Sequence, residues 1–284
     1  MSNDGGSETK LAILFEKLVK GLFTIPVSLP WTKFGKALHG RQELLKHIEE
    51  IVLRRQQQEN LGEDTLGILL QARDEEGNAL PLDELKDQIL LLLFAGHETL
   101  TSAIASFCLL ITQHPNILSR AREEQKQFSG ATLTMENLAQ MTYLEQILKE
   151  VLRLIPPVGG GFREVIKDCE FGGYSIPKGW MIQYQIGGTH QDESLYPDYK
   201  SFDPDRFSPE NSVEKQKIFG YLPFGGGMRE CLGKEFARLE MKIFAAMLLR
   251  GYEWELLPEQ DLGLVVVPTP HPRDGLKVKF HRLS

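Results

Sequence analysis

The residue types best suited to chemistry in this 284-residue sequence gather in one short stretch, Pro223-Phe224-Gly225-Gly226-Gly227-Met228-Arg229-Glu230-Cys231-Leu232-Gly233. Adjacent glycines let the backbone bend sharply and approach a flat ligand closely. Pro223 stops any preceding strand or helix. Phe224 offers an apolar wall and Arg229 a fixed positive charge. Cys231 stands just before a helix predicted to begin near Leu232, where free amide N–H groups and the helix dipole favour a thiolate. A thiolate surrounded by amide donors and set against an apolar ring is what an iron porphyrin needs as an axial ligand. The plainer alternative is a buried, inert cysteine after a generic turn.

Three further groups carry polar residues at suggestive spacing. Ala95-Gly96-His97-Glu98-Thr99 interrupts an otherwise apolar helical run. A threonine hydroxyl can compete for a backbone carbonyl, so a local bulge with room for a ligand or water is expected there. Taken alone, the same residues also fit an interhelical hydrogen-bond site. Glu150 and Arg153 stand at i and i+3 on one predicted helix, which taken alone reads as a solvated ion pair. Pro156-Pro157-Val158-Gly159-Gly160-Gly161-Phe162-Arg163 ends that helix with two prolines and continues with three glycines. Here Arg163 also fits a surface charge on a strand. His97 and His190 have no partner at metal-ligand spacing and read as polar packing residues, His190 with Asp192 in a loop beside a sheet.

These groups are predicted to sit on a mainly helical frame. Apolar periodicity marks helices over Leu11–Phe23, Gly40–Gln58 and Asp64–Arg73. Between the first two, Pro26, Pro30 and Trp31 predict an irregular connection from Ile25 to Lys36. Pro81, with Asp83 and Glu84 behind it, opens the longest helix, running to about Gln113. That helix is apolar on all sides, which predicts a core-crossing element. Its polar centre argues against a membrane span. Helices over Pro115–Phe128, Met135–Gln140 and Thr142–Ile155 follow, then β-like alternation over Phe171–Pro177 and Trp180–Gly187. A last helix spans Leu232 to about Arg250, before short strands and turns. Residues 1–10 are expected to be disordered, and 11–284 to form one domain, mainly α with small β-sheets.

The balance of 32 basic and 39 acidic residues, a net charge of −7, argues against nucleic acid as a partner. Cys108, Cys169 and Cys231 are odd in number and widely spaced, so neither a disulfide framework nor a zinc site is implied. No signal-peptide pattern opens the chain. A reducing, cytoplasmic setting fits best, either free or peripherally associated with a membrane.

The spacing Phe224-x-x-Gly227-x-Arg229-x-Cys231-x-Gly233 fixes five of ten positions and resembles the haem-binding signature of the cytochrome P450 monooxygenases. Ala95-Gly96-x-Glu98-Thr99 resembles the oxygen-binding motif of that family, with Leu100 where many members carry a second hydroxyl. Glu150-x-x-Arg153 and Phe202-Asp203-Pro204-Asp205-Arg206-Phe207 resemble two further hallmarks. The resemblance implies haem b (iron protoporphyrin IX) bound through Cys231, with Phe224, Gly227, Gly233, Arg229 and Arg163 as further cofactor contacts. It implies that Thr99, with Glu98 and Gly96, organises protons for splitting dioxygen. Glu150, Arg153 and Arg206 would form a buried structural network, and Ala95, Val158 and Phe162 would meet substrate.

The wording of the segments 94–99 and 156–163 resembles more closely the retinoic-acid-hydroxylating branch and its cyanobacterial relatives. That likeness implies oxygen insertion from O2 into an apolar substrate (a retinoid, another isoprenoid or a fatty acid), with electrons from a ferredoxin or a flavoprotein reductase. The chain resembles only the C-terminal portion of the family's domain, starting between its sixth and seventh helices, so an N-terminally truncated fold is expected. Two other readings stand beside the monooxygenase: a fragment or split half that does not hold haem alone, and a haem-binding protein without turnover.

Overall fold

The computed structural model describes residues 10–283. The expected disordered segment 1–10 lies outside them except for Lys10, the first residue of α1. The described chain falls into two compact units, one reaching to His97 and the other starting at Glu98.

In the first unit, α1 (Lys10–Leu22) and α2 (Lys33–Gln56) lie against each other. Small residues permit their close approach: a Cβ at Gly21 would stand 2.1 Å from that of Ala37. Leu14 and Leu18 of α1 and Leu44, Ile48 and Val52 of α2 are buried with Leu70, Leu85 and Leu90. The helical repeat brings each set onto one face. Helix α2 starts earlier than its apolar pattern predicts. Pro30 is the last helix breaker before it, and the Thr32 hydroxyl accepts a hydrogen bond from the Gly35 amide at 3.0 Å, a capping bond that starts the helix at Lys33. Asp64 caps α3 (Thr65–Gln71) through the Gly67 amide at 2.9 Å and also holds Arg55 with two bonds of 2.9 Å.

Helix α4 (Leu82–Gln113) has the bounds expected of the longest helix, with Pro81 just before it. Two expectations about it are corrected. It is α-helical without a break through residues 95–99, so no bulge forms there. A threonine can bond a carbonyl one turn back without breaking the ladder. Nor is it buried on all sides. Ala103, Phe107, Leu110 and Ile111 are buried, whereas Leu91 and Leu93 are 57% and 53% exposed. By length and composition alone, α4 is also the one helix among the described residues that could cross a membrane.

The second unit continues with α5 (Pro115–Lys126), α6 (Met135–Gln140) and α7 (Thr142–Leu154). It then forms four two-stranded antiparallel sheets. β1 (Gly160–Glu164) pairs with β4 (Met181–Gln185), and β2 (Cys169–Phe171) pairs with β3 (Tyr174–Ile176). After β4 comes the short helix α8 (Ile186–His190), then a 3₁₀ turn at Pro204–Phe207, α9 (Val213–Gln216) and α10 (Lys234–Gly251). β5 (Tyr252–Leu256) pairs with β8 (Val278–Arg282), and β6 (Leu264–Val265) with β7 (His271–Pro272). The architecture is mainly α with small sheets.

Helix α7 is the centre of this unit's core. Leu144, Ile147 and Val151 are fully buried among Phe107, Met241, Ala245 and Leu249. Its first turn leaves amides without intrahelical partners. The Glu124 carboxylate accepts from two of them, Tyr143 at 2.6 Å and Leu144 at 3.0 Å. Replacing this cap is expected to cost about 1–2 kcal/mol. Glu124→Ala should therefore lower the urea midpoint clearly, while the exposed neighbour change Glu123→Ala should leave it nearly unchanged. Equal midpoints for the two variants would remove Glu124 as the cap of α7.

Candidate functional site

The glycine-rich stretch before α10 folds as a closed loop. Gly225 and Gly227 have φ of +72° and +70°, conformations that other residues adopt only with strain. A Cβ on Gly226 would stand 2.9 Å from the Phe219 ring. The Gly225 amide donates to the Leu222 carbonyl at 2.9 Å, Gly227–Arg229 make a 3₁₀ turn, and the Cys231 amide donates to the Phe224 carbonyl at 2.9 Å. Phe224 is half-buried against the core. Helix α10 begins at Lys234 with Gly233 as its cap residue, two positions later than predicted.

Cys231 is exposed at the end of this loop. Met228, Leu232 and Phe236 around it are also highly exposed, and the Arg229 side chain is exposed. This donor set fits an iron porphyrin: one accessible sulfur, apolar side chains that a flat macrocycle would cover, and a cation for an acidic substituent. By contrast, Cys108 is largely buried, and burial pushes its thiol up to about 12. Among the described residues, no group of three or more His, Cys, Asp or Glu is arranged to hold a metal ion.

Behind the loop lies a desolvated charge network. Arg153 donates from Nε to Glu150 Oε2 at 2.6 Å and from Nη2 to Glu150 Oε1 at 2.8 Å, and both side chains are fully buried. Two of its three remaining N–H groups reach the His190 carbonyl at 3.0 Å and the Ser201 carbonyl at 3.2 Å. Glu150 Oε1 also accepts from the Asp203 amide at 3.0 Å. Arg206 Nε stands 3.5 Å from the same oxygen, a contact of charge, while its terminal nitrogens donate to the Pro197 and Asp198 carbonyls. Burial pushes the Glu150 carboxyl up, and the Arg153 guanidinium opposes that shift.

A second strand of contacts approaches the loop from β1. Arg163 is exposed, with its guanidinium 5.0 Å from the centre of the Tyr184 ring. In the β1–β4 register Gly161 faces Tyr184, where a Cβ would stand 2.6 Å from the tyrosine oxygen. A Cβ on Gly225 would lie 3.5 Å from that same oxygen. Tyr184 thus pairs with the 159–163 glycine run and leaves no room for a side chain at Gly161. Sequence reasoning passed over it because nothing in β4 marks one alternating residue above the others. Val158 and Phe162 are exposed. Ala95, Gly96, Glu98 and Thr99 all lie on α4, the first two exposed and the last two half-buried.

Contrary to expectation, His190 is not in a loop. It ends α8, fully buried. His97 packs edge-on against Phe15, with ring centres 5.0 Å apart. A cavity of about 220 Å³ lies beneath the cysteine loop between α7 and α10. Its charged lining is already paired, with Glu145 bonded to Arg238 and Lys242, Lys149 to Glu214, and Glu230 to Lys234.

Comparison with known proteins gives a consistent result. The family model described as Cytochrome P450 matches residues 9–270. "Putative cytochrome P450 120" of Synechocystis sp. (strain ATCC 27184 / PCC 6803 / Kazusa) is 58% identical over 270 residues, which are 95% of this chain and 61% of that protein. Cytochrome P450 26B1 of Danio rerio is 37% identical over 281 residues, 95% of this chain and 55% of that protein. The solved structure described as "Retinoic acid bound cyanobacterial CYP120A1" is similar with a TM-score of 0.91 and 56% identity, over 98% of this chain and 64% of that one. The chain therefore spans little more than half the length of these relatives.

Removing Arg153 leaves the fully buried Glu150 carboxyl without its bidentate partner, and breaking such a pair typically costs about 3–5 kcal/mol. Arg153→Ala is expected to unfold at a much lower denaturant concentration than the exposed change Lys167→Ala. Similar midpoints for the two would show that the pair contributes little.

Proposed function

The chain belongs to the cytochrome P450 family, and we propose that its residues 11–284 are the C-terminal part of one haem-thiolate monooxygenase domain. Its reaction inserts one oxygen atom of O2 into an apolar substrate. The observation that carries this reading is the placement of Cys231, exposed at the end of a closed glycine loop.

When bound, haem b supplies the dioxygen activation and the oxidising power. The chain's own residues hold and orient. Cys231 would hold the iron through its sulfur. Phe224 would wall the loop, Gly227 and Gly233 would let its backbone approach the ring, and Arg229 and Arg163 would neutralise the acidic substituents. Thr99 moves protons at Oγ1, with Glu98 as its neighbouring acid and Gly96 leaving space on α4. Glu150, Arg153 and Arg206 hold the frame on which the loop rests. Ala95, Val158 and Phe162 contact substrate.

For the substrate we favour an apolar acid of the retinoid class, with other isoprenoids and fatty acids next. The support is the likeness to a cyanobacterial relative whose structure is described with retinoic acid bound. Electrons come from a ferredoxin or flavoprotein reductase, and the setting is cytoplasmic. A second reading draws on the chain's 61% share of its Synechocystis relative: haem is held only together with the rest of a longer protein.

The deciding experiment is haem titration of the purified chain, followed by the spectrum of the reduced, carbon monoxide-treated form. A strongly red-shifted Soret band is expected for the chain and should vanish in Cys231→Ala. A band that persists in that variant would remove Cys231 as the ligand, and failure to take up haem would favour the second reading. Substrate-dependent oxygen insertion then separates a monooxygenase from a haem binder without turnover. Thr99→Ala is expected to retain the band but release most of the reduced oxygen as peroxide. Tight coupling in that variant would exclude Thr99 from proton delivery.

A further inference from the structure

Both ring nitrogens of His190 are engaged, and each bond allows only one role. Nδ1 lies 3.1 Å from the Arg153 carbonyl oxygen, which can only accept, so Nδ1 carries the proton. Nε2 lies 2.9 Å from the Leu222 amide, which can only donate, so Nε2 is bare. The residue's own carbonyl accepts from Arg153 Nη1. His190 is therefore joined to Arg153 twice, and through Leu222 to the start of the cysteine loop.

The segment leading into that loop is pinned at three successive residues. The Gly220 carbonyl accepts from the Tyr196 hydroxyl at 2.9 Å. Tyr221 donates its hydroxyl to the Lys149 carbonyl at 3.1 Å and stacks on the His190 ring, with centres 5.5 Å apart. The Leu222 amide takes the His190 bond. From Leu222 the tie continues through its carbonyl to the Gly225 amide, and the Phe224 carbonyl closes onto the Cys231 amide.

We propose that His190 is the positioning residue that links the buried Glu150–Arg153 pair to the Cys231 loop, through a neutral ring protonated at Nδ1. It acts on the iron ligand through Leu222 and touches no reacting atom. The inference rests on the haem-thiolate reading for its consequence, though not for its geometry. The groups facing the ring are Arg153, with Glu150 behind it, from α7, Tyr196 after α8, and Tyr221 before the loop. Burial pushes the imidazole down to about 4, so the bare Nε2 persists at neutral pH.

His190→Phe keeps a ring between Tyr196 and Tyr221 but makes neither bond. In the full chain, hydrogen exchange at the Leu222 and Cys231 amides should become about tenfold faster, the scale of one lost hydrogen bond. After haem loading, the carbon monoxide band should move toward the position of a neutral ligand. Unchanged exchange at either amide, or an unaltered red-shifted band, would overturn the proposal. Should the variant not fold, imidazole nitrogen shifts of the unsubstituted chain decide. A proton at Nδ1 and a bare Nε2 down to about pH 4 support it, and the opposite tautomer or an ordinary titration near 6.5 defeats it. A chain that takes up no haem would favour the reading in which haem is held only together with the rest of a longer protein, while the two amides would still show whether His190 holds the loop.

Discussion

The rest of the second unit depends on one desolvated ion pair. Taking Glu150 and Arg153 out of water is costly, and their mutual attraction offsets that cost only when nearly every remaining donor and lone pair is satisfied. Four N–H bonds of Arg153 are accounted for, two by Glu150 and two by the carbonyls of His190 and Ser201. The His190 carbonyl ends the short helix α8, and the Ser201 carbonyl belongs to the irregular chain that follows it. The pair thus dictates where irregular chain must run, which a hydrophobic contact could not do because it lacks direction. Arg206 repeats the principle one layer out, gathering the Pro197 and Asp198 carbonyls around the same carboxylate.

This arrangement explains how a loop of mostly small residues keeps a defined shape. Its glycines confer the turns but no rigidity, since glycine loses more freedom on folding than any other residue. The rigidity comes from outside, through Tyr196, Tyr221 and His190, which pin the segment leading into it. Phe224 anchors the loop to the core through apolar contact. Cys231 is left accessible because its partners are backbone groups, so its sulfur is not spent on holding the loop.

Much of the fold was legible in the chain's periodicity. The bounds of α4, α6 and α7 fell within a residue of expectation because α4 follows Pro81, α6 is capped by Thr134, and α7 has a clear apolar face and ends just before two prolines. The start of α2 was missed because an early, less apolar turn is stabilised by a Thr32 cap that periodicity does not weigh. β1 and α8 were missed because both are five residues long and glycine-rich, and strand pairing with β4 rather than local preference holds β1 in place. The α4 bulge expected from Gly96 and Thr99 did not form, since a helix ladder tolerates single weak residues.

The sequence by itself determined the chemistry on offer. The cysteine loop, the Glu-x-x-Arg pair and the proline-bounded Arg206 turn are local patterns of a few adjacent residues, and the roles expected of them came from resemblance rather than from spacing alone. Only the tertiary structure decided which distant residues serve them. His190 lies 37 positions from Arg153 and 32 from Leu222, and in the sequence it is one unpartnered histidine among seven. Hydrogen bonds to backbone carbonyls and amides leave no trace in residue type at the far end, so the partner is invisible until the chain is folded. Burial then settles the rest, because a neutral imidazole and a paired carboxylate are the forms that an interior without water permits.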